Sequence, residues 1–206
     1  MSRIHRLLGV GLVVVTAAIV SVLAHQLLKA SSAPPLSAAP TLNSLHREPR
    51  EPRVAPGEAD GVVPDGVTVF DDEMPAVANL DPDLLKALRR AAEDAADDEV
   101  EFYVNSGWRS PEYQNQLLRE AVAEYGSEEE AARWVATAQT SPHVSGDAVD
   151  LGRSDATAWL SEHGAEYGLC RIYRNEPWHY ELRPEAIGHG CPRMYADPTQ
   201  DPRMQQ

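Results

Sequence analysis

The order of sequence patterns predicts an α+β fold, with helices first and then short strands that pair antiparallel. Three observations carry the prediction. Apolar residues at helical spacing follow an Asp81-Pro82 start. Two further periodic stretches open at Ser110-Pro111 and at Ser127-Glu128-Glu129-Glu130. Finally, residues 169–173 and 178–182 form two β-rich runs separated by a short Pro-containing segment.

The elements run in chain order. Asp81 is a helix cap with proline at the first helical position, and Leu84, Leu85, Leu88, Ala91, Ala92 and Ala95 recur on one face, predicting a helix to about residue 96. Residues 101–105 alternate as a strand, ended by Ser106-Gly107. A second helix carries Tyr113, Leu117, Leu118 and Val122 and stops at Gly126; Ser127 then opens a capping box for a third helix running through Trp134 and Val135. Residues 147–151 form a short strand, and Ser154 caps a fourth helix through Trp159 and Leu160 that ends at Gly164. The runs at 169–173 and 178–182 close the fold as an antiparallel pair.

Composition divides the rest of the chain. Residues 7–28 carry no Asp, Glu, Lys or Arg and are apolar through Ala24, behind Arg3, His5 and Arg6. This length fits one bilayer crossing of about 20 residues. The alternative is a cleaved secretory signal, but the small-residue sites at 31–33 and 37–39 are each followed by proline. Residues 1–29 are therefore expected to be an anchor or signal segment that exports the remainder of the chain, with the basic end held inside. Residues 30–66 are rich in Pro, Ser and Ala and lack apolar periodicity, as an extended linker does. One catalytic domain is expected over 67–192, with a loose Pro-rich tail over 193–206.

Charge excludes one class of partner. Residues 1–64 hold six Lys/Arg and four Asp/Glu of the 18 and 32 in the chain, leaving 12 basic and 28 acidic side chains in the remainder. A surface of that sign repels phosphate backbones, and no basic stripe appears, so no nucleic acid is expected.

The chemistry concentrates in residues 141–150 and 176–179. His143, Asp150 and His179 supply a donor set of two imidazoles and a carboxylate for a catalytic zinc site with an open position, leaving Glu176 free as a base. Asp150 lies in the apolar run Ala148-Val149-Asp150-Leu151, where a carboxylate is costly unless paired or metal-bound. His5, His25, His46 and His189 read as surface or core residues, and His163 as a helix-end residue before Gly164.

The pattern Ser141-x-His143-x-x-Gly146-x-Ala148-x-Asp150, then Glu176-Pro177-Trp178-His179, preceded by Ser106-Gly107-Trp108-Arg109-Ser110, resembles the VanY-type D-alanyl-D-alanine carboxypeptidases. These are zinc peptidases grouped with the VanX dipeptidases and the Hedgehog amino-terminal domain. The resemblance spans about residues 80–183. It implies a Hedgehog/DD-peptidase-like fold, a small antiparallel sheet with helices packed against it. It also implies one zinc ion on His143, Asp150 and His179, with Glu176 as general base and then acid, and Arg109 stabilising the oxyanion. Ser141 and Gln114 match positions that contact the terminal D-alanine; Trp108 stands where tyrosine is frequent. Trp178 is expected to wall the pocket or join the core.

Cys170 and Cys191 are the only cysteines, and in an oxidising exterior they are expected to form one disulfide. The implied activity is removal of the terminal D-alanine from peptidoglycan stem peptides by a monomeric, membrane-tethered enzyme outside the cytoplasm. The competing implications are an L,D-carboxypeptidase, an endopeptidase, a dipeptidase, or a non-catalytic zinc-stabilised wall-binding module.

Overall fold

The computed structural model describes residues 55–205. The expected anchor over 1–29 and the linker as far as residue 54 lie outside the described residues. Among the described residues no helix is long and apolar enough to cross a membrane.

Among the described residues, six α-helices and four strands follow one another along the chain. Helix α1 (Pro75–Ala78) is one turn, and α2 (Pro82–Ala95) begins as expected, with the Asp81 carboxylate accepting from the N–H groups of Asp83 and Leu84. Strand β1 (Val104–Ser106) leads to α3 (Pro111–Tyr125), capped by Ser110 and ended by Gly126, and to the single turn α4 (Glu128–Ala131). Next come α5 (Pro142–Ser145), β2 (Ala148–Leu151), α6 (Ser154–His163), β3 (Leu169–Arg171) and β4 (His179–Leu182). The strands form one antiparallel sheet in the order β1-β2-β4-β3, giving the expected α+β class with a small sheet and helices against it.

Alternation along the central strands separates core from chemistry. Val149 pairs with Tyr180, and together with Leu151 and Leu169 they join the apolar stripe of α2 (Leu84, Leu88, Ala91, Ala92, Ala95) in one core. Asp150 pairs with His179 and Ala148 with Glu181, so these side chains leave from the other face. A smaller cluster of Cys170, Ile172, Tyr173 and Ala186, with Tyr195 against it, supports that side.

Several boundaries differ from expectation. The folded region reaches back before Val67: the Ser110 N–H and hydroxyl both donate to Asp60, at 2.8 and 3.0 Å, and Val63 packs on the core. The linker therefore does not run to residue 66. The first strand starts later than 101 because that part of the chain pairs instead with the preceding segment, through a Thr68–Tyr103 bridge and a Val104 N–H bond to the Val67 carbonyl. The third helix ends at Ala131 rather than at Val135, freeing the Ala136 carbonyl to accept from Gln114. Ser154 is the first helical residue and not the cap. Arg153 holds the cap position at φ 63°, with its guanidinium 3.9 Å from the centre of the Tyr103 ring.

The expected loose tail is the largest correction. Tyr195 bridges Tyr173, Asp197 and Asp201 are buried, and Arg203 pairs with the buried Glu181. The prolines that suggested looseness instead begin two 3-10 turns, Pro198–Gln200 and Pro202–Gln205. Asp197 and Asp201 are costly to bury unpaired, and arginine and hydroxyl partners meet both.

Cys170 and Cys191 form the expected disulfide, 21 residues apart in sequence. Closing a loop of that length restricts the unfolded chain, so the Cys191→Ser variant is expected to lose about 3 kcal/mol of stability. Urea denaturation of the oxidised chain against the variant measures this directly.

Candidate active site

His143, Asp150 and His179 converge from three elements, and one donor atom of each lies within 4.8 Å of the others. Local sequence explains the placement. Pro142 starts α5, whose single turn carries His143, and Gly146 ends it at φ 84°. A Cβ at Gly146 would stand 2.6 Å from the Asn79 carbonyl oxygen, so glycine is required both for the left-handed turn and for the close approach. The chain then enters β2, where the β2–β4 register sets Asp150 directly opposite His179.

Hydrogen bonds outside the cluster orient both imidazoles. His143 Nδ1 lies 2.8 Å from the Gly107 carbonyl, so Nδ1 donates and the Nε2 lone pair is left for the space it shares with Asp150 Oδ1, 3.4 Å away. Gly107 makes this possible, because a Cβ there would sit 2.0 Å from the Ala76 carbonyl oxygen. His179 is turned the other way: Nε2 donates to Glu181 at 3.2 Å, and Nδ1 stands 3.1 Å from Asp150 Oδ1. The edges of 3.4 and 3.1 Å bracket the roughly 3.3 Å between donors of a tetrahedral site with bonds near 2.0–2.1 Å. Two imidazoles and one carboxylate with that spacing fit a zinc-like divalent cation.

The electrostatics agree with this fit at His143 and Asp150, while His179 holds a proton that a metal must displace. Burial, followed by the charge of Arg109, holds His143 below its ordinary value and keeps it neutral, as a ligand must be. Burial opposes ionisation of Asp150, but the charges and hydrogen bonds of the two imidazoles hold its carboxyl well below the usual range. Burial also opposes protonation of His179, yet bonds to Asp150 and Glu181 outweigh it and push the imidazole up to about 9.

Glu176 stands beside this cluster and outside it. Its Oε2 is 3.7 Å from His179 Nδ1, while Oε1 is buried with no hydrogen-bond partner among the described residues. Burial, reinforced by the charge of Asp150, pushes its carboxyl up to about 7. Arg109 borders the same cleft of about 320 Å³. Its guanidinium donates to Asp150 Oδ2 at 3.0 Å, to Gln114 Oε1 at 3.1 Å and to Ser106 Oγ at 2.7 Å. Gln114 is fully buried, and its amide also donates to the Ala136 carbonyl at 2.9 Å, so it braces Arg109. Ser141 Oγ is buried and unpartnered at the cleft wall, and the 40% exposed Trp178 lines the same wall.

A family described as VanY, D-alanyl-D-alanine carboxypeptidase, matches residues 77–185. The chain belongs to the VanY family. A D-alanyl-D-alanine carboxypeptidase of Enterococcus faecalis is 31% identical, over 54% of this chain and 52% of its own, so the chain spans about half the length of that curated relative. Among solved structures, VanYB in complex with D-alanine-D-alanine is 30% identical, with 52% of this chain and 74% of that one covered and a TM-score of 0.49. A zinc(II)-bound D,D-pentapeptidase VanY from a VanB-type cassette gives 30%, 50%, 72% and 0.47 in the same order. The L,D-carboxypeptidase LdcB is 23% identical, with 60% and 68% covered and a TM-score of 0.48.

Against this VanY-family background, the candidate site residues Arg109, Gln114, Ser141, His143, Asp150, Glu176 and His179 all line one cleft, whereas His163 packs on Trp159 elsewhere and His189 is exposed. Sequence reasoning misses four residues packed behind His179: Glu181, Tyr173, Asp201 and Arg203. Glu181 carries the same signal as Asp150, a carboxylate in an apolar strand, in Tyr180-Glu181-Leu182. The other three give none.

Proposed function

We propose that this chain is a zinc-dependent D,D-carboxypeptidase that hydrolyses the terminal D-alanyl-D-alanine bond of peptidoglycan stem peptides. The observation that carries this reading is Glu176, a buried carboxyl with a free oxygen next to three metal donors and not among them. A structural metal site has no use for such a group.

Bound zinc would supply Lewis-acid polarisation of the scissile carbonyl and a more acidic water, held by His143, Asp150 and His179. Glu176 takes a proton from the attacking water and returns it to the leaving amine, so its carboxylate must be free and close. Arg109, fixed by three hydrogen bonds, presents its remaining N–H groups to the cleft, where negative charge develops on the carbonyl oxygen. Ser141 Oγ is a donor for the substrate's terminal carboxylate, and Gln114 keeps Arg109 in position. Family membership and the Enterococcus relative support the choice of bond. The basic-then-apolar start of the sequence supports a domain tethered outside the cytoplasm, where this substrate lies.

The test is a panel of a pentapeptide ending in D-Ala-D-Ala, the tetrapeptide lacking the last residue, a cross-linked dimer and free D-Ala-D-Ala, with products identified by mass. The pentapeptide is expected to lose D-alanine fastest; preferential cleavage of another member replaces this reading with the corresponding activity.

Protonation sets the pH profile. Below about 7 the Glu176 carboxyl is neutral and accepts no proton, so kcat/KM is expected to rise with pH through an acidic limb at or below that value, since a nearby cation lowers it. Stability of the metal-free protein runs the opposite way. Glu176 is raised from 4.5 to about 7 and His179 from 6.5 to about 9, so the native state holds both protons longer than the unfolded chain does. Their contribution is complete below those lower values and is lost as pH rises through the higher ones. Zinc needs His179 without its proton, so the zinc-induced increase in Tm is expected to grow between pH 5.5 and 8.5. Calorimetry with and without zinc at both pH values reads this; a shift that shrinks with pH contradicts it.

A further inference from the structure

We propose that the C-terminal segment from Tyr195 to Arg203 is a working part of the metal site, with Glu181, Asp201 and Arg203 as positioning residues for His179. This goes beyond the family assignment, because the family-matched span ends at residue 185 and the segment lies past it.

The chain of contacts is continuous. Glu181 leaves β4 on the same face as His179, two residues on, and its Oε1 accepts from His179 Nε2 at 3.2 Å. It is 0% exposed. Arg203 grips both of its oxygens, Nη1 to Oε2 at 2.7 Å and Nη2 to Oε1 at 3.1 Å, and Arg183 Nη2 adds a bond to Oε2 at 2.6 Å. Asp201 in turn fixes Arg203, accepting from Nε at 3.1 and 3.0 Å and from Nη2 at 2.5 Å. Tyr173 OH donates to Asp201 Oδ2 at 2.9 Å, and the Tyr173 ring packs 5.2 Å from the His179 ring. The segment thus holds His179 through a hydrogen-bond relay and through ring packing.

Two arginines and two carboxylates balance, so Glu181 remains an anionic acceptor without net charge in the cluster. As a stability device the arrangement is poor. A buried ion pair is often no better than apolar residues of similar volume, and this strand position faces Ala148 and Cys170. It makes sense as a means of fixing one tautomer and one ring orientation, with the Nδ1 lone pair left for the space shared with His143 and Asp150. A carboxylate on the outer nitrogen of a ligating histidine also raises its basicity.

The inference rests on His179 as a metal ligand and not on which peptide bond is cut. The test measures zinc affinity of the full chain by competition with a chromophoric chelator, together with the visible spectrum of the cobalt(II)-substituted protein. Arg203→Ala is expected to weaken zinc binding about tenfold and Glu181→Gln by about 10- to 100-fold, with a shifted cobalt spectrum in both. Should Arg203→Ala not fold, Arg203→Lys, which keeps the charge and loses the paired donors, is read in the same way. Wild-type affinity and spectrum in the variants overturn the inference and leave the proposed function standing. Failure of the unaltered chain to bind zinc overturns both.

Discussion

Replacing Glu176 with glutamine is expected to lower kcat for D-alanine release by about two to four orders of magnitude, with zinc still bound. The amide keeps the volume and removes the cleft carboxyl that stands beside the three candidate metal donors. Because Glu176 Oε1 has no partner among the described residues, the substitution breaks no hydrogen bond of that atom there and costs little in folding. Metal analysis accompanies the rate measurement. Loss of zinc along with activity makes Glu176 a ligand, and near-normal activity removes it from proton transfer.

Arg109→Ala is expected to lower kcat/KM by about 10²- to 10³-fold, the range seen when one oxyanion donor is removed. The geometry assigns this residue two duties, since Nη2 bonds Asp150 while the guanidinium borders the cleft. Removing it strips Asp150 Oδ2 and Gln114 Oε1 of a partner, so zinc affinity should also fall, by about tenfold. The two effects separate at saturating zinc. If activity then returns to the wild-type level, Arg109 only positions Asp150 and the oxyanion role is wrong; a persistent loss in kcat supports it.

Legibility in the sequence depends on where the information lies. The helix at 82–95 is legible because cap, proline and apolar stripe coincide in one contiguous stretch, and Asp150 because a carboxylate in an apolar strand needs a reason. The candidate metal-binding residues and Glu176 are legible from donor chemistry and spacing, and the role proposed for Arg109 comes from family resemblance alone. The register that sets Asp150 against His179 is not readable, since it depends on pairing strands nearly thirty residues apart. The tail misleads for a physical reason. Its prolines and short polar residues look like a chain with no core to join, yet its anchors are charged groups whose partners, Glu181 and Tyr173, are about twenty to thirty residues away. Polar partners leave no periodicity.

The most direct test of the central claim is a zinc titration of the metal-free full chain with D-alanine release from the D-Ala-D-Ala pentapeptide monitored at each point. Activity is expected to rise in proportion to bound zinc and to saturate at one ion per chain. D-alanine release that is unaffected by removing zinc, or a chain that fills with one zinc and releases none, would contradict the account.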